Sequence, residues 1–283
     1  MARALFFPIV VGSLIAAHVG VSLEVQSIRH GLLRQAEVMA PLPAPVLKLA
    51  ALGYRNLVAD WLFSRTLSFH GGQLAQKAPI NDETYRIIYR RLDVASELDP
   101  YFVDPYFFGQ AVLTWGAGMP QEANRLLDRG RRYRPDDWII PFFMGFNAFY
   151  FLHDNAQAAA YLMEASRHPG SPPFAALLAA RLASQSGGTG MSIEFLQQLA
   201  AQTEDPATRR QIQRRLEALK GIWLLERAVE RYRTRFGEMP TTVSDLVARG
   251  ILLRLPIDPY GGSFYLDSHG KVWTTSDLRP IRR

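Results

Sequence analysis

The sequence predicts a mainly α protein with an N-terminal transmembrane helix, a solenoid of helical hairpins, and a small C-terminal α+β domain of one long helix and a β-hairpin. Three observations predict it. A twenty-residue apolar run extends from Ala4 to Leu23. A pattern of small and apolar residues then recurs with a period of thirty-five. Beyond Asp205, one long amphipathic stretch gives way to two short alternating segments. The expected division is an anchor or signal sequence at 1–24, a proline-containing linker at 25–45, repeats at 46–204 and the α+β tail at 205–283.

The apolar run comes first. About twenty apolar residues, at about 1.5 Å each, span the hydrocarbon core of a bilayer. Only Gly12, Ser13, His18, Gly20 and Ser22 interrupt this one. The segment His18–Ser22 offers no Ala-x-Ala cleavage site, which favours an uncleaved anchor over a removed signal peptide. Arg3 precedes the run while Glu24, Arg29 and Arg34 follow it, so flanking charge does not set the orientation. The short basic head is similar to a bacterial signal sequence. It implies a single-pass protein of the bacterial inner membrane, with the bulk of the chain periplasmic. Pro41, Pro43 and Pro45 form a stiff joint behind it.

The repeat lies in the spacing. Ile88, Leu92, Ala95 and Pro100 are matched by Ala123, Leu127, Gly130 and Pro135, and again by Ala158, Leu162, Ala165 and Pro169. Intervals of four and three put the first three residues of each set on one helix face. The small residue admits a neighbouring helix, and the proline ends the unit. A second helix recurs as well, Pro105-Tyr106-Phe107-Phe108-Gly109 being matched by Pro141-Phe142-Phe143-Met144-Gly145. Gly116-Ala117-Gly118 and His153-Asp154-Asn155 are the turns between helices. Upstream, the stripe Leu47, Ala51, Tyr54, Val58 and Trp61 reads as the first helix of the opening pair. Downstream, Pro173–Ser184 and Ile193–Ala201 read as a divergent last pair.

These spacings resemble the tetratricopeptide repeat, over roughly residues 46–200. The family's first-helix tryptophan is replaced here by Tyr106 and Pro141. The resemblance implies a curved solenoid whose groove holds another protein. Tyr106, Trp115, Trp138, Phe142 and Tyr150 are the candidate protein-binding residues, chosen from an aromatic-rich stretch over 101–152. Most aromatics at helical spacing belong to a core, and a few line a groove.

In the tail, Asp205-Pro206 starts a helix and Gly237 ends it, with Ile212, Leu216, Leu219, Ile222, Leu225, Val229, Tyr232 and Phe236 as its apolar stripe. Thr242 and Asp245 read as a capping box before Leu246 and Val247. Leu255–Gly262 is turn chemistry, and Ser263–Leu266 pairs with Lys271–Thr274 across Asp267-Ser268-His269-Gly270. Tyr260, Phe264 and Tyr265 are expected to pin this hairpin to the helix. The series Tyr232, Phe236-Gly237, Pro240-Thr241, Leu246-Val247 and Pro256-Ile257-Asp258-Pro259-Tyr260-Gly261-Gly262 resembles the C-terminal domain of the type II secretion major pseudopilin. The resemblance implies pilin-like or secretion-machinery partners. The N-terminus lacks the family's Phe-Thr-Leu-Ile-Glu start, so the chain is not itself a prepilin. No calcium site is carried over, and Asp258 is expected to cap the turn.

Composition narrows the chemistry. The chain has 283 residues, is 48% hydrophobic and 20% charged, and contains no cysteine, which excludes thiolate catalysis and cysteine-bound metal. Its six histidines lack ligand spacing, and His70-Gly71-Gly72 reads as a helix end. Gly187-Gly188-Thr189-Gly190 follows no strand and is a linker turn, not a phosphate loop. Asp136-Asp137 fits a helix N-terminus. Residues 201–283 carry 15 Lys+Arg against 10 Asp+Glu, but Arg209, Arg210, Arg214 and Arg215 have no interleaved aromatics, so nucleic acid is not an expected partner. No cofactor is expected. The expectation is a non-enzymatic, membrane-anchored protein-interaction scaffold in pilus or secretion-system assembly. Its rival is a helical enzyme or carrier with a small ligand in an aromatic-lined pocket.

Overall fold

The computed structural model describes residues 18–25, 41–75 and 79–279. Most of the expected anchor, and the linker as far as residue 40, lie outside these residues. The segment 18–25 is helical, and among the described residues no helix is long and apolar enough to cross a membrane. The chain forms two compact units, Met1–Pro105 and Tyr106–Arg283, so the break falls inside the repeat stretch.

In the first unit, Pro43 precedes α1 (Ala44–Ala50), and Pro45 sits in its first turn, where a missing N–H costs little. The chain then turns at Leu52 and Gly53, with φ of +47° and +97°, before α2 (Arg55–Ala75). The expected Leu47-to-Trp61 stripe is therefore broken. Tyr54 and Trp61 are exposed, and α2 buries Ala59, Leu62, Thr66 and Phe69 instead. This helix also continues through Gly71 and Gly72, whose φ values are not left-handed, so neither acts as the expected stop. In α3 (Asp82–Leu98), Asn81 Oδ1 accepts from Thr84 N at 2.9 Å, while Ile88, Leu92 and Ala95 are fully buried. Lys48 pairs with Glu97 at 2.9 Å, joining α1 to α3.

The second unit opens with α4 (Asp104–Ala111), which runs into a π-helical turn at Val112–Gly116. The helices α5 (Pro120–Tyr133), α6 (Ile139–Tyr150), α7 (Asn155–Ser166), α8 (Pro173–Gln185) and α9 (Thr189–Gln202) follow, each packed on the next. The repeat register holds. Ala123, Leu127, Ala158, Leu162 and Ala165 are completely buried. Gly145 shows why a small residue is needed, since a Cβ there would lie 2.7 Å from Leu162 Cγ. Asp154 caps α7 by accepting from Gln157 N at 2.9 Å, and Asp137 Oδ1 accepts from Ile139 N at the start of α6.

The tail belongs to this same unit. Asp205 accepts from Thr208 N at 2.7 Å and starts α10 (Pro206–Phe236), a helix of 31 residues that ends at Gly237 with φ of +73°. Its stripe from Ile212 to Tyr232 packs against α8, α9 and the hairpin. One continuous core runs from Ala148 on α6 to Leu278 near the C-terminus. Asp245 opens α11 (Asp245–Ala248) by accepting from the N–H groups of Thr241 and Thr242, so the carboxylate half of the expected box is present. Strands β1 (Phe264–Leu266) and β2 (Val272–Thr274) pair antiparallel with Tyr265 opposite Trp273. Phe264 is buried against Gly221 of α10, whereas Tyr265, on the other face of the strand, is 45% exposed.

Asp258 does more than cap. It is buried, and its Oδ1 accepts from Tyr260 N at 2.8 Å. Its Oδ2 accepts from the hydroxyls of Thr274 and Ser276, which fastens the proline turn to β2. A Cβ at Gly262 would lie 2.7 Å from that oxygen, so the second glycine of the turn has to be small.

Candidate functional site

The sequence of α6 divides into two faces. Ile140, Met144, Gly145 and Ala148 are buried, while Phe142, Phe143, Phe146 and Tyr150 follow the helical period on the other side. That second face carries a chain of aromatic contacts. Phe142 meets Phe143 at 5.8 Å, Phe143 meets Phe107 of α4 at 5.9 Å, and Phe142 meets Phe174 of α8 at 5.6 Å between ring centroids. The row thus crosses α4, α6 and α8, the first helices of three successive pairs.

A second cluster forms at the C-terminal end of α6. The π-helical turn brings Trp115 to 5.4 Å from Tyr150 and 5.0 Å from Phe151, and Phe146 stacks on Tyr150 at 5.5 Å with an interplanar angle of 8°. Trp115, Tyr150 and Phe174 remain 59%, 50% and 53% exposed. These three are among the large hydrophobic side chains that the second unit leaves exposed.

Beneath this face lies a buried polar link. Asn147 Nδ2 donates to Gln110 Oε1 at 2.8 Å and to Asn124 Oδ1 at 2.9 Å, tying α6 to α4 and α5. Arg131 of α5 reaches Glu164 of α7 at 3.2 Å and Asp128 at 2.8 Å, and these carboxylates raise its pKa further. The first link ties together two of the helices that carry the aromatics, and the second ties α5 to α7 behind them.

The five expected binding residues divide accordingly. Trp115 and Tyr150 share the exposed cluster. Trp138 and Phe142 are partly buried and meet edge to face at 5.8 Å. Tyr106 is a correction: it is completely buried, with its ring against Gly130, and is a packing residue. The helical period places Phe107 one residue further round α4, in the aromatic row. Phe174 was not among the expected residues, although Pro173-Phe174 repeats the Pro-aromatic opening of Pro105-Tyr106 and Pro141-Phe142.

The rings of this surface can hold apolar side chains by dispersion and edge-to-face contact. Among the described residues, no group of three or more His, Asp or Glu is placed to hold a metal ion. No family model matches the chain, and no curated protein is similar to it. Among solved structures, the chain is similar to the crystal structure of PilW, a widely conserved type IV pilus biogenesis factor. The identity is 17% and the TM-score 0.33, over 68% of this chain and 83% of that one.

Proposed function

We propose that this protein is a non-catalytic scaffold that holds a partner protein on the aromatic face of α4, α6 and α8. The observation that carries this reading is the row of partly exposed rings from Phe107 through Phe143 and Phe142 to Phe174, with a separate exposed cluster at Trp115 and Tyr150. Trp115, Tyr150 and Phe174 lie outside the continuous core that runs from Ala148 to Leu278. The row is an open face crossing three helices, which supports an extended apolar partner segment more than a small ligand.

The setting we assign is pilus or secretion-system assembly. It rests on the resemblance of residues 232–272 to the major pseudopilin's C-terminal domain, and pilin-like or secretion components are then the partners. We also assign a single-pass anchor at 1–24 and a periplasmic location to the rest, on the strength of the Ala4–Leu23 run.

Photocrosslinking in cells tests the interaction face. A benzophenone amino acid at Trp115 or Phe174 is expected to give one shared adduct, while the same group at exposed Glu83 gives none. Equal labelling from all three positions rules out the aromatic face as the contact. Fractionation tests the anchor: full-length protein should require detergent for release, and protein lacking 1–24 should not.

A further inference from the structure

A concave site with a different lining is present as well, its Leu177 one turn along α8 from Phe174. A cleft of about 590 Å³ opens beside the first half of α10, lined by Ala207, Arg210, Gln211, Arg214 and Arg215, with Leu177 of α8 and Tyr260, Leu278 and Arg279 of the tail opposite. Every charged residue of its lining is an arginine. Asp277, whose charge acts on Arg215, is already engaged: it binds Arg181 at 2.7 Å and Arg279 at 3.2 Å, and accepts from Gln185 at 3.2 Å.

Arg215 is the residue that makes this a site. It is only 6% exposed, and its guanidinium lies 5.1 Å from the Tyr260 ring centroid. Its Nε and Nη1 have no hydrogen-bond acceptor. Burial lowers its pKa, Tyr260 and Asp277 oppose that, and Arg181 reinforces it. A buried guanidinium with unmet donors is costly, and a negative charge brought close to it lowers that cost. Arginine suits this task because its planar donors match both oxygens of a carboxylate.

We infer that this cleft receives a carboxylate of a partner polypeptide, held by Arg215 and flanked by Arg210, Arg214 and Arg279. An adjoining apolar side chain of the same partner rests on Leu177, Ala207 and Leu278. The apolar part of the lining is what selects a peptide acid over a bare anion, which has nothing to place there. The choice of a polypeptide rests on the scaffold reading above, but the surface is a different one.

The test is calorimetric titration of the full chain in detergent with two acetylated, amidated pentapeptides. One alternates leucine with glutamate, the other leucine with glutamine. The glutamate peptide is expected to bind, and to weaken about tenfold or more in Arg215→Met, as loss of a desolvated charge partner does. Arg214→Gln, at an exposed position, should weaken it by a smaller factor and steepen no other property, which keeps the test valid if Arg215→Met misfolds. Equal binding of both peptides, no binding of either, or an affinity indifferent to Arg214→Gln and Arg215→Met overturns the inference. Inorganic phosphate that binds while the glutamate peptide fails to displace it also overturns it, in favour of a small-anion site. Peptide affinity reads the cleft and photocrosslinking reads the aromatic face, so failure of one is distinguishable from failure of the other.

Discussion

Glu226 shows how much one side chain on α10 depends on its surroundings. It is partly buried, Thr189 Oγ1 donates to its Oε1 at 2.9 Å, and Thr189 in turn contacts Ser184 Oγ at 3.0 Å. Burial raises its pKa, against the smaller opposing effects of Thr189 and Lys271. A carboxyl whose folded pKa is raised keeps its proton longer in the native state than in the unfolded chain. Its contribution to stability is therefore largest below the unfolded value, falls as pH rises through the carboxylate range, and levels off above the folded value. Glu226→Gln keeps an acceptor for Thr189 and removes the buried charge. Urea unfolding followed from pH 4 to pH 7 is expected to show the variant gaining stability relative to the parent as pH rises, with its advantage greatest at pH 7. A variant curve that parallels the parent throughout contradicts this account.

At the level of helices, the small residues of the repeat set how closely neighbours approach. Ala165 is completely buried on α7, and Gly145 on α6 faces Leu162 with no room for a methyl group. Ala165→Leu and Gly145→Ala should each destabilise the protein by about 1–3 kcal/mol, because close-packed interiors accept added volume only with strain. Thermal or denaturant melting checks this, and unchanged midpoints for both would contradict the packing register. The spacing of these residues was legible in the sequence because it depends on helical period alone. The break between α1 and α2 was not. The apolar stripe runs unbroken through Leu47, Ala51, Tyr54 and Val58, and nothing in that pattern marks Leu52 and Gly53 as left-handed. The helical path through Gly71 and Gly72 was hidden for a related reason: glycine permits a stop without requiring one.

For the molecule as a whole, the tail and the last helices share one core. Leu182, Leu196, Leu219, Leu246 and Phe264 all belong to it, and they come from α8, α9, α10, α11 and β1. Arg181 of α8 binds Asp277, and Lys271 donates to the carbonyl of Gln185, so polar contacts cross the same junction. A fragment of 205–283 loses the α8 and α9 side of that core, which leaves apolar residues of α10 uncovered. Residues 106–283 are accordingly expected to melt in one cooperative transition, and residues 205–283 alone to show none. Calorimetry of the two fragments decides it. A sharp transition in the shorter fragment would show that the tail holds its own core.

Helix positions, caps and close contacts came from local chemistry, and local chemistry is written in order along the chain. Asp205 and Asp154 cap the N–H groups three residues on, Gly237 supplies a left-handed end, and Ala95, Gly130 and Ala165 recur on one face. Burial is a different quantity, since it depends on residues far away in sequence. Tyr106 and Trp115 are both aromatics of the same repeat, yet the first packs against α5 and is buried while the second lies open within a π-helical turn. Arg215 belongs to a run of arginines that reads as a solvated face. It is buried among residues distant in sequence, with Tyr260, 45 residues along the chain, 5.1 Å from its guanidinium. Periodicity and capping are short-range, and so the sequence carries them; which aromatic faces solvent, and which arginine loses it, is settled only when distant segments pack.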